Sequence, residues 1–144
     1  MLAAGEAAWA NVKCQSYVYS RTQSSVVSGF CGVTGVSIEN DAPTIRTYTS
    51  GEHGCPPNPD GGVTEEWTEQ GAAQIGTHTD GYPAETIEQL FAECAGILAS
   101  DPTKYTVFLG LGYDGIPMTC TATLIECVDD CSFGIELSNF ACDG

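Results

Sequence analysis

Cysteines are the residues best able to do chemistry in this 144-residue chain, and there are 8: Cys14, Cys31, Cys55, Cys94, Cys120, Cys127, Cys131 and Cys142. Thiols can ligate zinc, attack as thiolates or close disulfides, and their spacing separates these uses. A structural zinc site wants two close cysteine pairs, or one pair followed by spaced histidines. No Cys-x-x-Cys occurs, and the nearest pair is Cys127 and Cys131. That also removes a thioredoxin-like redox motif. An even number scattered along the whole length predicts a disulfide framework built in an oxidising compartment. Roughly a hundred complete pairings are open to such a set, so most of the connectivity stays open.

The two histidines are His53 and His78. With Cys55 they compose a His-x-Cys pair plus a distant histidine, donors that zinc accepts. A metal-bound Cys55 would leave an odd cysteine among the rest, so exposed loop histidines are the simpler reading. A Cys–His nucleophilic pair meets the same objection, because a bridged sulfur is no thiolate. Serine chemistry has no support either. There is no Gly-x-Ser-x-Gly, and Ser28-Gly29 lacks a strand–turn–helix setting.

Carboxylates are abundant, 19 against 4 Lys and Arg, for a formal charge of -15. Glu65, Glu66 and Glu69 could place two carboxylates on one face of a turn, yet a solvated surface explains them. Asp129 and Asp130 are better suited to shaping a turn, or meeting a passing cation, than to acid–base catalysis. No EF-hand loop is present, so any divalent cation binding is expected to be weak and diffuse. Gly110 to Gly115 lacks the lysine and following helix of a phosphate loop, and Pro117 marks a turn into a strand. No catalytic set and no cofactor motif follows from these residues.

The charge balance excludes nucleic acid as a partner, since phosphate neutralisation needs Lys and Arg clusters. It also disfavours anionic lipid. No apolar stretch approaches the roughly 20 residues that span a bilayer. Met1 to Glu6 has no basic region followed by an apolar core, so an export signal, if used, is expected to have been removed.

These residues need elements to position them. The length suits one domain, 1–144, with a Gly/Pro-rich insertion at about 51–81. Leu2 to Asn11 reads as a lead-in helix. Cys14 to Arg21 reads as a strand with Tyr17 and Tyr19 on one face, followed by a second strand over Val26 to Val33. A third, Thr44 to Thr49, carries Ile45, Thr47 and Thr49 on one face. Within the insertion, Cys55 to Gly62 cannot hold a helix or a central strand, and Val63 to Gln70 reads as a short helical turn. Ile87, Leu90, Phe91, Cys94, Ile97 and Leu98 form one apolar stripe at helical spacing. The helix runs from Thr86 to Ala99, and Cys94 on its stripe would fix it to a sheet or loop. Strands follow at Tyr105 to Leu111, Met118 to Cys127 and Phe133 to Phe140. The last two flank a turn at Val128 to Cys131, with Glu126 opposite Ser132. The expected fold is α+β: an antiparallel β-sheet, disulfide-stapled, with one main helix across one face.

Several of these pieces, taken in order, resemble an uncharacterised family of exported, lipoprotein-like domains known only as domain of unknown function 6174. They are Tyr17-Val18-Tyr19, Thr86 to Phe91, Gly115-Ile116-Pro117, Asp129-Asp130 and Phe133 to Phe140. The resemblance covers most of the chain outside Gly51 to Gly81. It departs at Ile116, where the family commonly has an aromatic residue, and in the number of cysteines. It implies this fold and export, and it carries no reaction.

The expected function is therefore a non-enzymatic, acidic, disulfide-stabilised interaction or accessory module, secreted or in an oxidising organelle lumen. Its partner would be a protein or a larger assembly. Trp67, His53, His78, Tyr82 and Tyr113 are the candidate contact surface, being aromatic or imidazole side chains in or beside glycine-rich segments. The alternative is a small hydrolase or a metal- or ligand-binding protein working through the 51–81 insertion.

Overall fold

A computed structural model of the chain describes residues 1–25, 28–55, 62–127 and 131–143. The fold is α+β, with antiparallel strands, two helices among the described residues and disulfide staples. The elements are α1 (Leu2–Val12), β1 (Tyr17–Ser24), β2 (Cys31–Glu39), β3 (Ala42–Gly51), β4 (Glu65–Gln70), α2 (Ile87–Leu98), β5 (Tyr105–Leu111), β6 (Pro117–Leu124) and β7 (Ser132–Cys142). They form two compact units, Met1–Lys13 with Ile87–Leu137 and Cys14–Thr86 with Ser138–Gly144.

The first unit is built on α2. Its stripe buries Ile87, Leu90, Phe91, Cys94 and Ile97 against β6 and β5, where β6 buries Cys120 and Ala122, and Ile135 of β7 is buried opposite Cys120. The Cys94–Cys120 disulfide bolts helix to strand, the role expected of a cysteine on the helix stripe. α1 also joins α2, where Trp9 Nε1 donates to Glu88 Oε2 at 2.7 Å. Close approach of α1 requires a residue without a side chain. A Cβ on Gly5 would come within 2.5 Å of the Gly115 carbonyl oxygen. Gly115 itself sits at φ 89°, a conformation open to glycine, in the turn that delivers Pro117 into β6.

Strand order in this unit is β7-β6-β5. Thr123 pairs with Ser132, so the expected Glu126–Ser132 pairing is incorrect: β6 ends at Leu124 and leaves Glu126 outside the ladder. Cys127 and Cys131 do bond to each other. Asp129 and Asp130, expected to shape that turn, lie outside the described residues.

The second unit is a twisted antiparallel ladder in the order β4-β3-β2-β1-β7. Tyr17 and Tyr19 share the covered face, as alternation requires, beside Ile38 and Val36. The second strand runs over Cys31–Glu39 and not Val26–Val33; of that expected range, Val26 and Val27 lie outside the described residues. The helical turn expected at Val63 to Gln70 is instead β4, paired in register with β3. Cys14–Cys142 ties the segment before β1 to the last residue of β7, and Cys31–Cys55 fastens the segment after β3 to β2.

Candidate contact surface

Strand alternation decides which side chains of β3 and β4 meet. Arg46, Tyr48 and Ser50 point to one face of β3, and their opposite numbers on β4 are Glu69, Trp67 and Glu65. On this face Arg46 and Glu69 are nearly sealed from solvent. Arg46 Nε donates to Glu69 Oε1 at 2.7 Å, and Nη2 donates to Oε2 at 3.1 Å. A fork of this kind matches the two carboxylate oxygens.

Glu69 then organises the chain that follows it. Its carboxylate accepts from the backbone N–H of Gly76 at 2.8 Å and of His78 at 2.6 Å. The Thr77 hydroxyl donates at 3.1 Å, and His78 Nδ1 lies 2.8 Å away. The Arg46 guanidinium, aided by the Gly76 and His78 N–H groups, holds the Glu69 carboxyl well below the usual carboxylate range despite its burial. An anion with its lone pairs so fully used is a poor general base. Arg46 in turn donates to the carbonyls of His78 at 2.8 Å and Tyr82 at 2.9 Å.

The same covering segment continues along the ladder. Tyr82 N–H donates to Thr34 Oγ1 at 3.0 Å. The Arg21 guanidinium stacks 3.8 Å over the Tyr82 ring and pairs with Glu85 at 3.3 Å. Tyr19, whose phenol burial pushes well above its ordinary pKa, donates to the Glu85 carbonyl at 2.6 Å. Residues 76–86 therefore form a strap over the β1–β4 face, held mainly by part-buried polar contacts.

Of the five expected contact residues, the structure gathers two and separates the rest. Trp67 and His78 stack at 4.1 Å with rings 9° apart, and Tyr48 lies 5.6 Å from Trp67 on the same face. Tyr82 belongs to the Arg21 end of the strap. His53 is exposed beyond β3, and Tyr113, in the other unit, is fully exposed. Glu69, expected on a solvated surface, is instead buried, and the sequence pattern did not mark Arg46 or Arg21. The signal available was their scarcity: a chain with 4 basic residues buries two of them, Arg21 and Arg46, which marks both as structural anchors.

The possible chemistries narrow accordingly. Cys55 is bonded to Cys31, so the set His53, Cys55 and His78 has no thiolate to offer a metal. Among the described residues, no three of His, Cys, Asp and Glu gather to hold a metal ion. The Glu65 carboxyl is pushed up by its hydrogen bond to Asp80 and also accepts from Trp67 Nε1 at 3.2 Å. On the opposite face of the ladder, Val18, Ser20, Gly35, Ser37, Ile45 and Thr47 line a shallow groove of about 190 Å³. That is smaller than the ~300–1,000 Å³ of ordinary small-molecule pockets, and its walls carry no carboxylate, histidine or thiol. No helix among the described residues is long and apolar enough to cross a membrane.

Comparison of the chain with known protein families, with characterised proteins and with solved structures gives no match.

Proposed function

We propose that the protein is a non-catalytic, acidic, disulfide-stapled interaction or accessory module, acting in an exported or luminal setting on a protein partner. The observation that carries this reading is the fate of the reactive groups. All the cysteines are bridged, and the Arg46–Glu69 pair spends its hydrogen bonds on holding the 76–86 strap in place. Four disulfides agree with an oxidising compartment, and the ordered resemblance to exported domains agrees with secretion. A formal charge of -15 favours a cationic surface on the partner.

Carboxyl-to-amine cross-linking of the native protein in its own extracellular or luminal fraction tests this. A discrete adduct with one basic partner is expected, with linked carboxylates mapping to the exposed acidic residues of 51–81, Glu66 and Asp80 among them. A native protein recovered entirely uncross-linked would overturn the reading.

A further inference from the structure

We infer that β5 is a self-association edge, along which two copies of the chain pair antiparallel about a two-fold axis through Val107. The inference goes beyond the accessory-module reading and stands on β5 alone. β5 closes the strand order of its unit, with β6 on one side and no strand on the other among the described residues. Tyr105 to Leu111 contains no charged residue and no proline, the usual guards of an exposed edge. Val107 and Phe108 are 40% and 60% exposed, large values for apolar strand residues.

The backbone register shows which groups face outward. Ile125 N–H donates to the Lys104 carbonyl at 2.8 Å, making Lys104 and Ile125 a hydrogen-bonded pair. The ladder continues with Tyr105 opposite Leu124 and Thr106 opposite Thr123. Hydrogen-bonded and non-hydrogen-bonded pairs alternate in antiparallel ladders. Thr106 and Phe108 therefore bond inward to β6, while the backbone groups of Tyr105, Val107 and Leu109 point outward.

Both ends of this edge are bounded. Tyr105 N–H is already taken by the Asp101 carbonyl at 2.9 Å, and the register shifts between Gly110 and Leu111. The regular outward edge is thus symmetric about Val107. A second copy can use it: Val107 exchanges N–H and C=O with its own copy, and each Leu109 N–H reaches a Tyr105 carbonyl, leaving the Leu109 carbonyl to solvent.

In that register Thr106 of one copy stands opposite Phe108 of the other in a non-hydrogen-bonded pair, where side chains approach most closely. The exposed Phe108 ring gains cover there. The self-complementary register, not the net charge, favours a second copy as occupant. Two strongly acidic chains repel, yet this edge brings no acidic side chain against another. It places Lys104 of each copy opposite Gly110 of its neighbour, the strand end that leads into Asp114.

The test is sedimentation equilibrium of the intact, oxidised protein, up to ~1 mM, with two variants. Val107→Pro removes an outward N–H, a position where edge strands tolerate proline. Phe108→Lys leaves the backbone intact and places charge beside the dyad, opposite Thr106 of the other copy. The wild type should dimerise, and each variant, with circular dichroism and bridges unchanged, should weaken the dimer at least ~10-fold. If Val107→Pro misfolds, Phe108→Lys decides alone. A wild type that stays monomeric throughout, or a dimer that Phe108→Lys leaves at full strength, overturns the inference.

Discussion

Arg46 and Glu69 face each other across β3 and β4 in a two-point ion pair, 2.7 Å from Nε to Oε1 and 3.1 Å from Nη2 to Oε2. Their side chains keep 4% and 1% of their exposure. Burying two charges costs several kcal/mol per ion unless the remaining donors and acceptors are also satisfied. Here they are, because Glu69 takes the N–H groups of Gly76 and His78 while Arg46 takes the carbonyls of His78 and Tyr82. The pair therefore couples the ladder to the segment that covers it.

Removing one partner strands the other charge in a sealed site. Glu69→Ala should destabilise by about 3–5 kcal/mol, the range for breaking a buried pair. Arg46→Met combined with Glu69→Leu should lose clearly less than the two single changes added together. Urea unfolding of the wild type, Arg46→Met, Glu69→Leu and the double variant measures this. Additive losses would mean that the pair does not act as a unit.

The same pair sets an acid sensitivity. Glu69 titrates lower in the folded chain than in the unfolded one. Its contribution is therefore fully present above the unfolded carboxylate value of about 4.3 and is lost as pH falls toward the folded value. Glu69→Gln should flatten this acid limb of the stability curve while costing stability at neutral pH. An unchanged slope between about pH 4 and pH 2 in the variant would assign the limb to other carboxylates.

What could be read ahead of the structure was the local part of it. The α2 stripe is written within consecutive turns, so Ile87 to Leu98 is legible from spacing alone. The cysteines announce bridges by number, but Cys14 finds Cys142 at a separation of 128 residues, which no local pattern encodes. β4 does not show as a strand in the sequence because Glu65-Glu66-Trp67-Thr68-Glu69-Gln70 is polar at nearly every position. Its inward glutamate is explained only by Arg46, 23 residues earlier. β2 was placed too early because Gly32 and Gly35 weaken its strand signal. Gly32 is needed where the Tyr48 ring lies, and Gly35 beneath Thr47 Oγ1, both long-range reasons.

Every cysteine should be unreactive in the oxidised protein. Alkylation without reductant should leave the intact mass unchanged, and full labelling should follow reduction. The Cys94–Cys120 bridge closes a loop with a separation of 26 residues, and Cys94→Ala with Cys120→Ala should cost about 2–5 kcal/mol. Any labelled cysteine before reduction would contradict the four-bridge framework.

Phe91 lies on the buried stripe of α2 at 4% exposure. Phe91→Ala should cost about 3–5 kcal/mol through lost burial and the cavity left behind. Melting temperature alone is a poor readout, because bridges keep the unfolded chain compact and alter its entropy. Denaturant-derived free energies are the right comparison, and a loss below ~1 kcal/mol would place Phe91 outside the core.

The region 51–81 reads in the sequence as an insertion, but it contains β4 and so contributes a strand to the ladder. Shortening the chain between Pro56 and Thr77 removes β4 and Glu69 together, leaving Arg46 buried without its counter-ion. The shortened chain should lose cooperative unfolding even with Cys55 retained. Function is better separated from folding at the outward positions of β4. Glu66 and Thr68 are exposed, so Glu66→Lys with Thr68→Lys should change stability by no more than about 0.5 kcal/mol per site. If β4 presents the contact surface, the same double variant should lose the partner adduct seen on carboxyl-to-amine cross-linking. A stable variant that still forms the adduct would move the contact off this face of β4.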